Sequence, residues 1–313
     1  MKPGPVVCIV GPTASGKSAL AELVAGRLGS EVISVDAMQV YRGMDVGTAK
    51  TPPRERRVPL RMVDVADPGE NYSVRLFQRD ARRYVDELLA SGVTPVLAGG
   101  TGLYLNAVID EMEFPAGERD AESRHRYESL LESKGPQALY ELLASRDAQS
   151  AALIHPNNSR RVIRALEMLD DGTSYAAQHD GLHRRAPHYS ARIWGLTLDR
   201  GRLYRRIDER VDEMMARGLL EEVRGLVDRG LTPDTTSGQA IGYKEVLEAL
   251  EGRVTLDEAV DKIKLRSRRY AKRQLSWFRH DERVRWIDLD SVELEAAAQM
   301  VVDDLGEVGD GEV

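Results

Sequence analysis

Eight residues near the start of the chain, Gly11, Pro12, Thr13, Ala14, Ser15, Gly16, Lys17 and Ser18, limit its fold more than any other stretch. They follow the apolar run Val6 to Val10 and lead into the helix-like run Ser18 to Leu28. A strand, the pattern G-x-x-x-x-G-K-[ST] and a helix, in that order, form a phosphate-binding P-loop. In such a loop successive backbone N–H groups wrap a phosphate, and the helix N-terminus adds positive potential. Lys17 neutralises charge, and the Ser18 hydroxyl can hold Mg2+. The implied ligand is a diphosphate or triphosphate, of the kind a nucleotide such as ATP carries.

Downstream residues keep the alternation that such a loop requires. Glu31 to Asp36 reads as a second strand and Leu60 to Val65 as a third. A helical stretch from Ser73 to Ala90 precedes a fourth strand, Pro95 to Ala98. Gly99-Gly-Thr-Gly102 then turns into the apolar helix start Leu103 to Val108. Strands alternating with helices imply an α/β fold with a parallel sheet covered on both faces. Ligands of such sheets bind at the carboxyl ends of the strands, so Gly11 to Ser18, Asp36 and Gly99 to Thr101 are expected to converge. After Phe114 and Pro115 the sequence becomes rich in Glu, Arg, Ala and Leu and reads as all-helical. Strand character returns at Ala191 to Leu198, and Arg202 to Trp277 is mainly helical, interrupted at Gly230, Pro233 and Gly242. The predicted organisation is a P-loop-type core of residues 1–115 and 189–313 with an inserted helical domain at 116–188.

Composition excludes several classes. With 313 residues, 42% hydrophobic and 30% charged, the chain has the mass for about two domains and a sizeable core. No segment approaches the roughly 20 apolar residues of a membrane span, and the immediate first strand leaves no room for a signal peptide. The single cysteine, Cys8, excludes an internal disulfide framework, and with six scattered histidines no zinc-finger spacing exists. A cytoplasmic protein is expected. No Ser/His/Asp arrangement has local support.

A net charge of −7 argues at first against nucleic acid. The average hides an asymmetry, because Lys262 to His280 contains eight Lys or Arg residues and no acid. Local charge decides phosphate contacts. Asp303, Asp304, Glu307, Asp310 and Glu312 crowd the other extreme, and they read as a solvated, disordered end.

Several residues are candidates for chemistry. Asp36 ends a strand beside the P-loop, where a carboxylate can help hold Mg2+ indirectly, orient substrate, act as general base or cap a turn. Thr101 lies among glycines that let a ligand approach the backbone, and it either offers its hydroxyl or completes a plain turn. His155 to Ser159 is a helix start followed by Arg160, Arg161 and Arg164, of which the last two share a face. Further on, Arg266, Arg269 and Arg273 line one helical face, while Ile263, Tyr270 and Trp277 recur every seven residues along another. Such a basic stripe is either a track for a phosphate backbone or a structural helix whose arginines cover apolar surface.

An ordered set of motifs resembles the tRNA dimethylallyltransferase family. It comprises Gly11 to Ser18, Ile33 to Asp36 with Gln39 to Tyr41, Gly43 to Lys50, Gly99 to Tyr104, His155 to Asn157, Gly238 to Lys244, and Lys272 to Gln274 with Trp277. The match runs from Val6 to Arg279 and has no C-terminal zinc finger, as in the shorter bacterial form. The resemblance implies an enzyme that moves a dimethylallyl group from its diphosphate to the exocyclic amine of the adenosine 3′ to the anticodon. It implies Mg2+ as cofactor, dimethylallyl diphosphate and the tRNA anticodon stem-loop as partners, no membrane, and a monomer. The loop residues Gly11 to Ser18 and Arg210 would bind the diphosphate, Ser18 the metal, and Asp36 would be the general base with Thr101 beside it. The tRNA contacts would come from Asp36, Ala37, Met38 and Gln39, from Thr101 and Arg124, from Arg160, Arg161, Val162, Ile163 and Arg164, and from Gln239, Ala240, Ile241, Gly242, Tyr243 and Lys244. The target base would have to leave its stack.

Three other readings compete. A small-molecule kinase would use the loop for ATP and Asp36 to deprotonate an alcohol, but it leaves the basic helix without a purpose. An adenylate isopentenyltransferase would run the same chemistry on a free nucleotide. A non-catalytic nucleic-acid-binding module needs no P-loop beside an acid.

Overall fold

A computed structural model describes residues 5–114, 121–183 and 186–306 of the chain. It divides into two compact units, one of Met1–Ile109 with Pro187–Val313, the other of Asp110–Ala186. The second unit starts earlier than the change in composition because Glu111 N–H already bonds Ala186 O at 2.7 Å. Pro115, where composition placed the border, lies outside the described residues.

The first unit is built on β1 (Val6–Val10), β2 (Val32–Val35), β3 (Leu60–Arg61), β4 (Val96–Gly99), β5 (Ala191–Thr197) and β6 (Val284–Asp288). They form one sheet in the order β3-β2-β4-β1-β5-β6, and every neighbouring pair is parallel. The helices α1 (Lys17–Arg27), α2 (Val74–Ala90) and α3 (Gly102–Ile109) interleave with the first four strands. Between α3 and β5 lie the helices of the second unit, α4 (Ala121–Arg146), α5 (Ala148–Leu153), α6 (Ser159–Asp170) and α7 (Tyr175–His183). Between β5 and β6 come α8 (Arg200–Ala216), α9 (Leu219–Val227), α10 (Tyr243–Leu250) and α11 (Leu256–Arg279), and α12 (Leu294–Gly306) follows β6.

The continuous apolar runs of the strands follow from burial on both faces, since successive side chains point to opposite sides. Val6, Cys8, Val10, Ile33, Val35 and Leu97 pack with Phe77, Ala81 and Val85 of α2 and Leu105, Val108 and Ile109 of α3. Val7, Ile9, Val32, Val96 and Ala98 turn the other way, onto Leu20, Ala21, Val24 and Ala25 of α1 and Ala297, Ala298 and Val301 of α12. Helix starts are set by local chemistry. Ser73 Oγ accepts from Leu76 N at 3.3 Å, Asp199 Oδ1 from Arg202 N at 2.9 Å, and Thr255 forms a reciprocal capping box with Glu258.

Two expectations are corrected. The third strand stops after Arg61 because Met62 and Asp64 have φ of 60° and 59°, a left-handed backbone that cannot continue a strand. Buried Lys50 accounts for that turn, donating to Asp64 Oδ1 (2.6 Å), Asp45 Oδ1 (2.9 Å) and Tyr41 O (2.6 Å). The acidic end is not simply a solvated tail, since Asp303 and Asp304 lie within α12 and Asp304 pairs with Arg285 of β6. Glu307, Asp310 and Glu312 lie outside the described residues.

The second unit has its own core of Tyr127, Leu139, Leu143, Ala151, Ile154, Val162, Ile163, Ala165 and Leu166. Its long helix α4 is broken at Gly135 (φ 79°), where Pro136 cannot supply the N–H a continuous helix needs. Asp170 ties the two arms of this bundle together, accepting from Ser123, Arg126, Tyr127 and Arg146. Those hydrogen bonds and the neighbouring Arg146 charge hold its carboxyl down at about 2, although partial burial acts in the other direction.

Candidate active site

The loop after β1 has the backbone that a phosphate cradle needs. Ala14 and Gly16 take left-handed φ of 62° and 96°, the kind of backbone turn from which anion-binding concavities are built, while Thr13 N and Ser15 N donate to Gln274 Oε1 and Pro12 O. Gly16 caps α1 without any side-chain hydrogen bond, so the first-turn N–H groups remain available to an anion. A Cβ on Gly11 would sit 3.0 Å from Ser15 Oγ and 3.2 Å from Leu196 O. Ser15 Oγ is buried and has no hydrogen-bond partner among the described residues. Lys17 Nζ donates to Pro12 O at 3.2 Å, and Ser18 is exposed.

Two cations share this site. Arg210 of α8 donates from Nη1 to Thr13 Oγ1 at 3.2 Å. Burial brings the Lys17 ammonium down to about 8; the charge of Arg210 adds to that, and Asp36 opposes it. Burial also lowers Arg210, against the attraction of Asp36 and Glu213. Lys17, Arg210 and Asp36, each half-buried, therefore act on one another, and only one of the three is an acid.

Strand order brings the other segments there. β4 lies between β1 and β2, so the turn after it can reach both neighbours. Its glycines are required by close approach. A Cβ on Gly99 would lie 1.9 Å from Val35 O, on Gly100 2.1 Å from Gln274 Nε2, and on Gly102 2.1 Å from the Trp277 ring. Thr101 Oγ1 accepts from Ala37 N at 3.2 Å. Asp36 Oδ1 accepts from Met38 N (2.8 Å) and Gln39 N (3.3 Å), whereas no hydrogen bond among the described residues reaches Oδ2. One oxygen of Asp36 caps the turn and the other is unengaged among the described residues. The three expected strand ends do converge.

A family model described as IPP transferase matches residues 39–281, and one described as isopentenyl transferase matches residues 4–61. The chain belongs to the IPP transferase family. The tRNA dimethylallyltransferase of Geobacillus thermodenitrificans is 49% identical over 290 residues, covering 92% of this chain and 91% of its own. That of Carboxydothermus hydrogenoformans is 44% identical over 303 residues, covering 96% and 97%. Among solved structures, the tRNA isopentenylpyrophosphate transferase of Bacillus halodurans superposes with a TM-score of 0.71 at 45% identity, covering 97% of both chains. A eukaryotic dimethylallyltransferase acting on tRNA superposes with a TM-score of 0.81 at 27% identity, covering 99% of this chain and 81% of its own. The parallel α/β fold expected from the sequence is the fold of these family members.

In this member of the family, several of the expected tRNA-contact residues make contacts within the protein. Val162 and Ile163 are buried in the helical unit's core, which leaves Arg160 and Arg161 exposed and Arg164 half-buried. Arg124 and Arg164 flank Glu167, at 3.5 and 3.4 Å, and Glu167 is only 2% exposed. Arg161 has no ion pair among the described residues. Between Gln239 and Lys244, Ala240, Gly242 and Tyr243 are buried and only Gln239, Ile241 and Lys244 retain surface. Tyr243 fills the space above Gly47, and its hydroxyl donates to Glu222 Oε1 at 2.6 Å. Gln39 is likewise engaged, accepting from Ser34 Oγ at 2.8 Å and donating to Thr48 O at 3.1 Å.

The basic stripe is shorter than its sequence implies. Lys262, Lys264, Arg266 and Arg268 pair with Glu248, Asp212, Glu245 and Asp208 on neighbouring helices. Arg269, Lys272, Arg273 and Arg279 remain exposed without an ion pair among the described residues. Two residues that composition did not single out organise the site. Glu222 of α9 accepts from the backbone N–H groups of Asp45, Val46 and Gly47, and Gln274 of α11 lies buried between the P-loop and the β4 turn. In the sequence the second is marked only as the last residue of the family motif Lys272 to Gln274.

Proposed function

We propose that this chain transfers a dimethylallyl group from dimethylallyl diphosphate to the exocyclic amine of the adenosine 3′ to the anticodon in tRNA. One observation carries the reading: a phosphate loop with two half-buried cations meets, at the ends of strands separated only by β4, a carboxylate with one unengaged oxygen. In the transfer the bond between the allylic carbon and the diphosphate oxygen breaks as the nitrogen–carbon bond forms. Loop amides, Ser15 Oγ, Lys17 and Arg210 receive the charge that develops on the leaving diphosphate. The attacking amine sheds a proton, which Asp36 Oδ2 accepts as general base. Thr101, by holding Ala37 N, keeps the turn that carries Asp36 in register with the loop.

The donor set fits Mg2+. Ser18 offers a hydroxyl, a hard oxygen ligand, and Mg2+ takes its remaining ligands from phosphates and waters. When bound it would neutralise diphosphate charge. The relatives at 44–49% identity are named for the same reaction on tRNA, and they favour tRNA over a free nucleotide as acceptor. Arg160 and Arg161 of the helical unit, and Arg269, Lys272, Arg273 and Arg279 of α11, supply exposed cations for the backbone of an anticodon stem-loop. The protein acts as a monomer on that stem-loop.

Prenyl transfer from dimethylallyl diphosphate, with Mg2+ and without ATP, to an anticodon stem-loop and to AMP at matched concentration tests this. Transfer to the stem-loop is expected. Equal or better use of AMP would assign the chain to adenylate modification instead.

A further inference from the structure

One uncharged side chain of α11 enters the site between its two halves. Gln274 is 5% exposed. Its Oε1 accepts from Thr13 N at 2.8 Å, and its Nε2 donates to Gly100 O at 3.0 Å. Both lengths are those of well-formed hydrogen bonds. The amide therefore joins the loop after β1 to the turn after β4, and neither can move alone without leaving a buried polar group unpaired. Gly100 is fitted to it, since a Cβ there would lie 2.1 Å from Nε2. Tyr270, one turn earlier, has its hydroxyl beside both Thr101 and Gln274.

The two joined segments serve opposite ends of the reaction assigned above. Thr13 belongs to the diphosphate loop and receives Arg210. Gly100 precedes Thr101, which holds the backbone beside Asp36. We propose that Gln274 is a positioning residue that sets the separation of leaving diphosphate and attacking amine, and so decides whether the dimethylallyl group goes to nitrogen or to water. This rests on the function proposed above. Transfer needs the nitrogen about 3–3.5 Å from the carbon and in line with the breaking bond. With the amine held further away, the carbon–oxygen bond to diphosphate still breaks, and water forms the new carbon–oxygen bond and loses a proton. The products are then dimethylallyl alcohol and diphosphate.

The test uses the full chain with labelled dimethylallyl diphosphate, Mg2+ and an anticodon stem-loop. Gln274→Met keeps length without hydrogen bonding, and Gln274→Glu keeps the acceptor for Thr13 N but loses the donor to Gly100 O. Gly100→Ala displaces the amide from the opposite side. All three are expected to lower kcat for transfer by about 100-fold, with each KM within about threefold. The ratio of alcohol to prenylated RNA should rise at least about tenfold in each. A merely structural residue would lower Tm or raise KM and leave that ratio unchanged, and an unchanged ratio in folded Gln274→Glu and Gly100→Ala would overturn the proposal. If the wild-type chain modified only AMP, the functional reading would fail, and the same ratio measured with AMP would still decide the role of Gln274.

Discussion

Raising the pH from 7 to 9 should loosen the grip on the diphosphate through one side chain. Burial, with help from Arg210 and against Asp36, brings the Lys17 ammonium from 10.5 to about 8. Half of it is then neutral at pH 8, and about one part in eleven stays charged at pH 9. A phosphate ester has its last ionisation near pH 6, so the ligand does not titrate in this window. If the diphosphate binds the ammonium form, Kd relative to pH 7 rises about twofold at pH 8 and about tenfold at pH 9. Binding then restores the missing charge, drawing up about 0.1 proton at pH 7 and about 0.9 at pH 9. Calorimetric titration of dimethylallyl diphosphate in buffers of different ionisation enthalpy reads both quantities. The sign for stability is opposite. The folded value is depressed, so the unfolded chain binds more protons between about 8 and 10.5, and the ligand-free protein gains stability as pH rises through that window. The partly buried charge destabilises the empty protein at pH 7, and an anion in the loop offsets this. Flat affinity from pH 7 to 9.5 with no proton uptake would refute this account, and Lys17→Met should bind weakly at every pH.

Asp36→Asn keeps the turn-capping oxygen and removes the base, so single-turnover transfer should fall about 10²–10⁴-fold with diphosphate affinity little changed; near-normal turnover would leave Asp36 as a cap only. Arg161→Ala should reduce the salt slope of tRNA binding by about one without moving Tm, whereas Arg164→Ala should lower Tm because Glu167 loses a partner. Glu222→Ala unpairs three backbone N–H groups and should cost about 3 kcal/mol or more in urea denaturation; a loss under about 0.5 kcal/mol would show that water replaces it. Gly102→Ala pushes a methyl into the Trp277 ring and should destabilise by about 1–3 kcal/mol, read by the same denaturation with tryptophan fluorescence.

Local chemistry made part of this molecule legible beforehand. The P-loop, the apolar strands and the turn at Gly99 to Gly102 announce themselves because each needs particular residues at particular spacings, whatever packs around them. The parallel order then makes their convergence unavoidable. What periodicity could not reveal was which charges are already neutralised. Arg266 and Arg273 look alike along a helix, yet Arg266 meets buried Glu245 from α10 and Arg273 faces solvent. Val162 and Ile163 fall between arginines but carry the bundle's core, and Tyr243 lies in a polar motif but packs on Gly47. The last strand and helix were missed for a related reason. Asp303 and Asp304 weigh a composition toward disorder, while Ala297, Ala298 and Val301 of α12 anchor it to the sheet.

That C-terminal helix has a consequence for the order in which the protein can be made. α12 covers the same sheet face as α1, and Arg27 at the end of α1 donates to Glu295 O and to Gln299 Oε1 at 3.1 and 3.2 Å. β1, the first strand synthesised, sits inside the sheet and waits for β4 and then for β5, whose Ala191 pairs with Val6. During translation the phosphate loop therefore emerges early, yet its supporting helix stays uncovered until almost the whole chain has left the ribosome. Folding dominated by such distant pairings is slow, and the apolar face of α1 is exposed meanwhile to other chains. A chain cut short before α12 would keep the loop and the strands that carry it, but would leave the apolar residues that α1 shares with Ala297, Ala298 and Val301 without that cover.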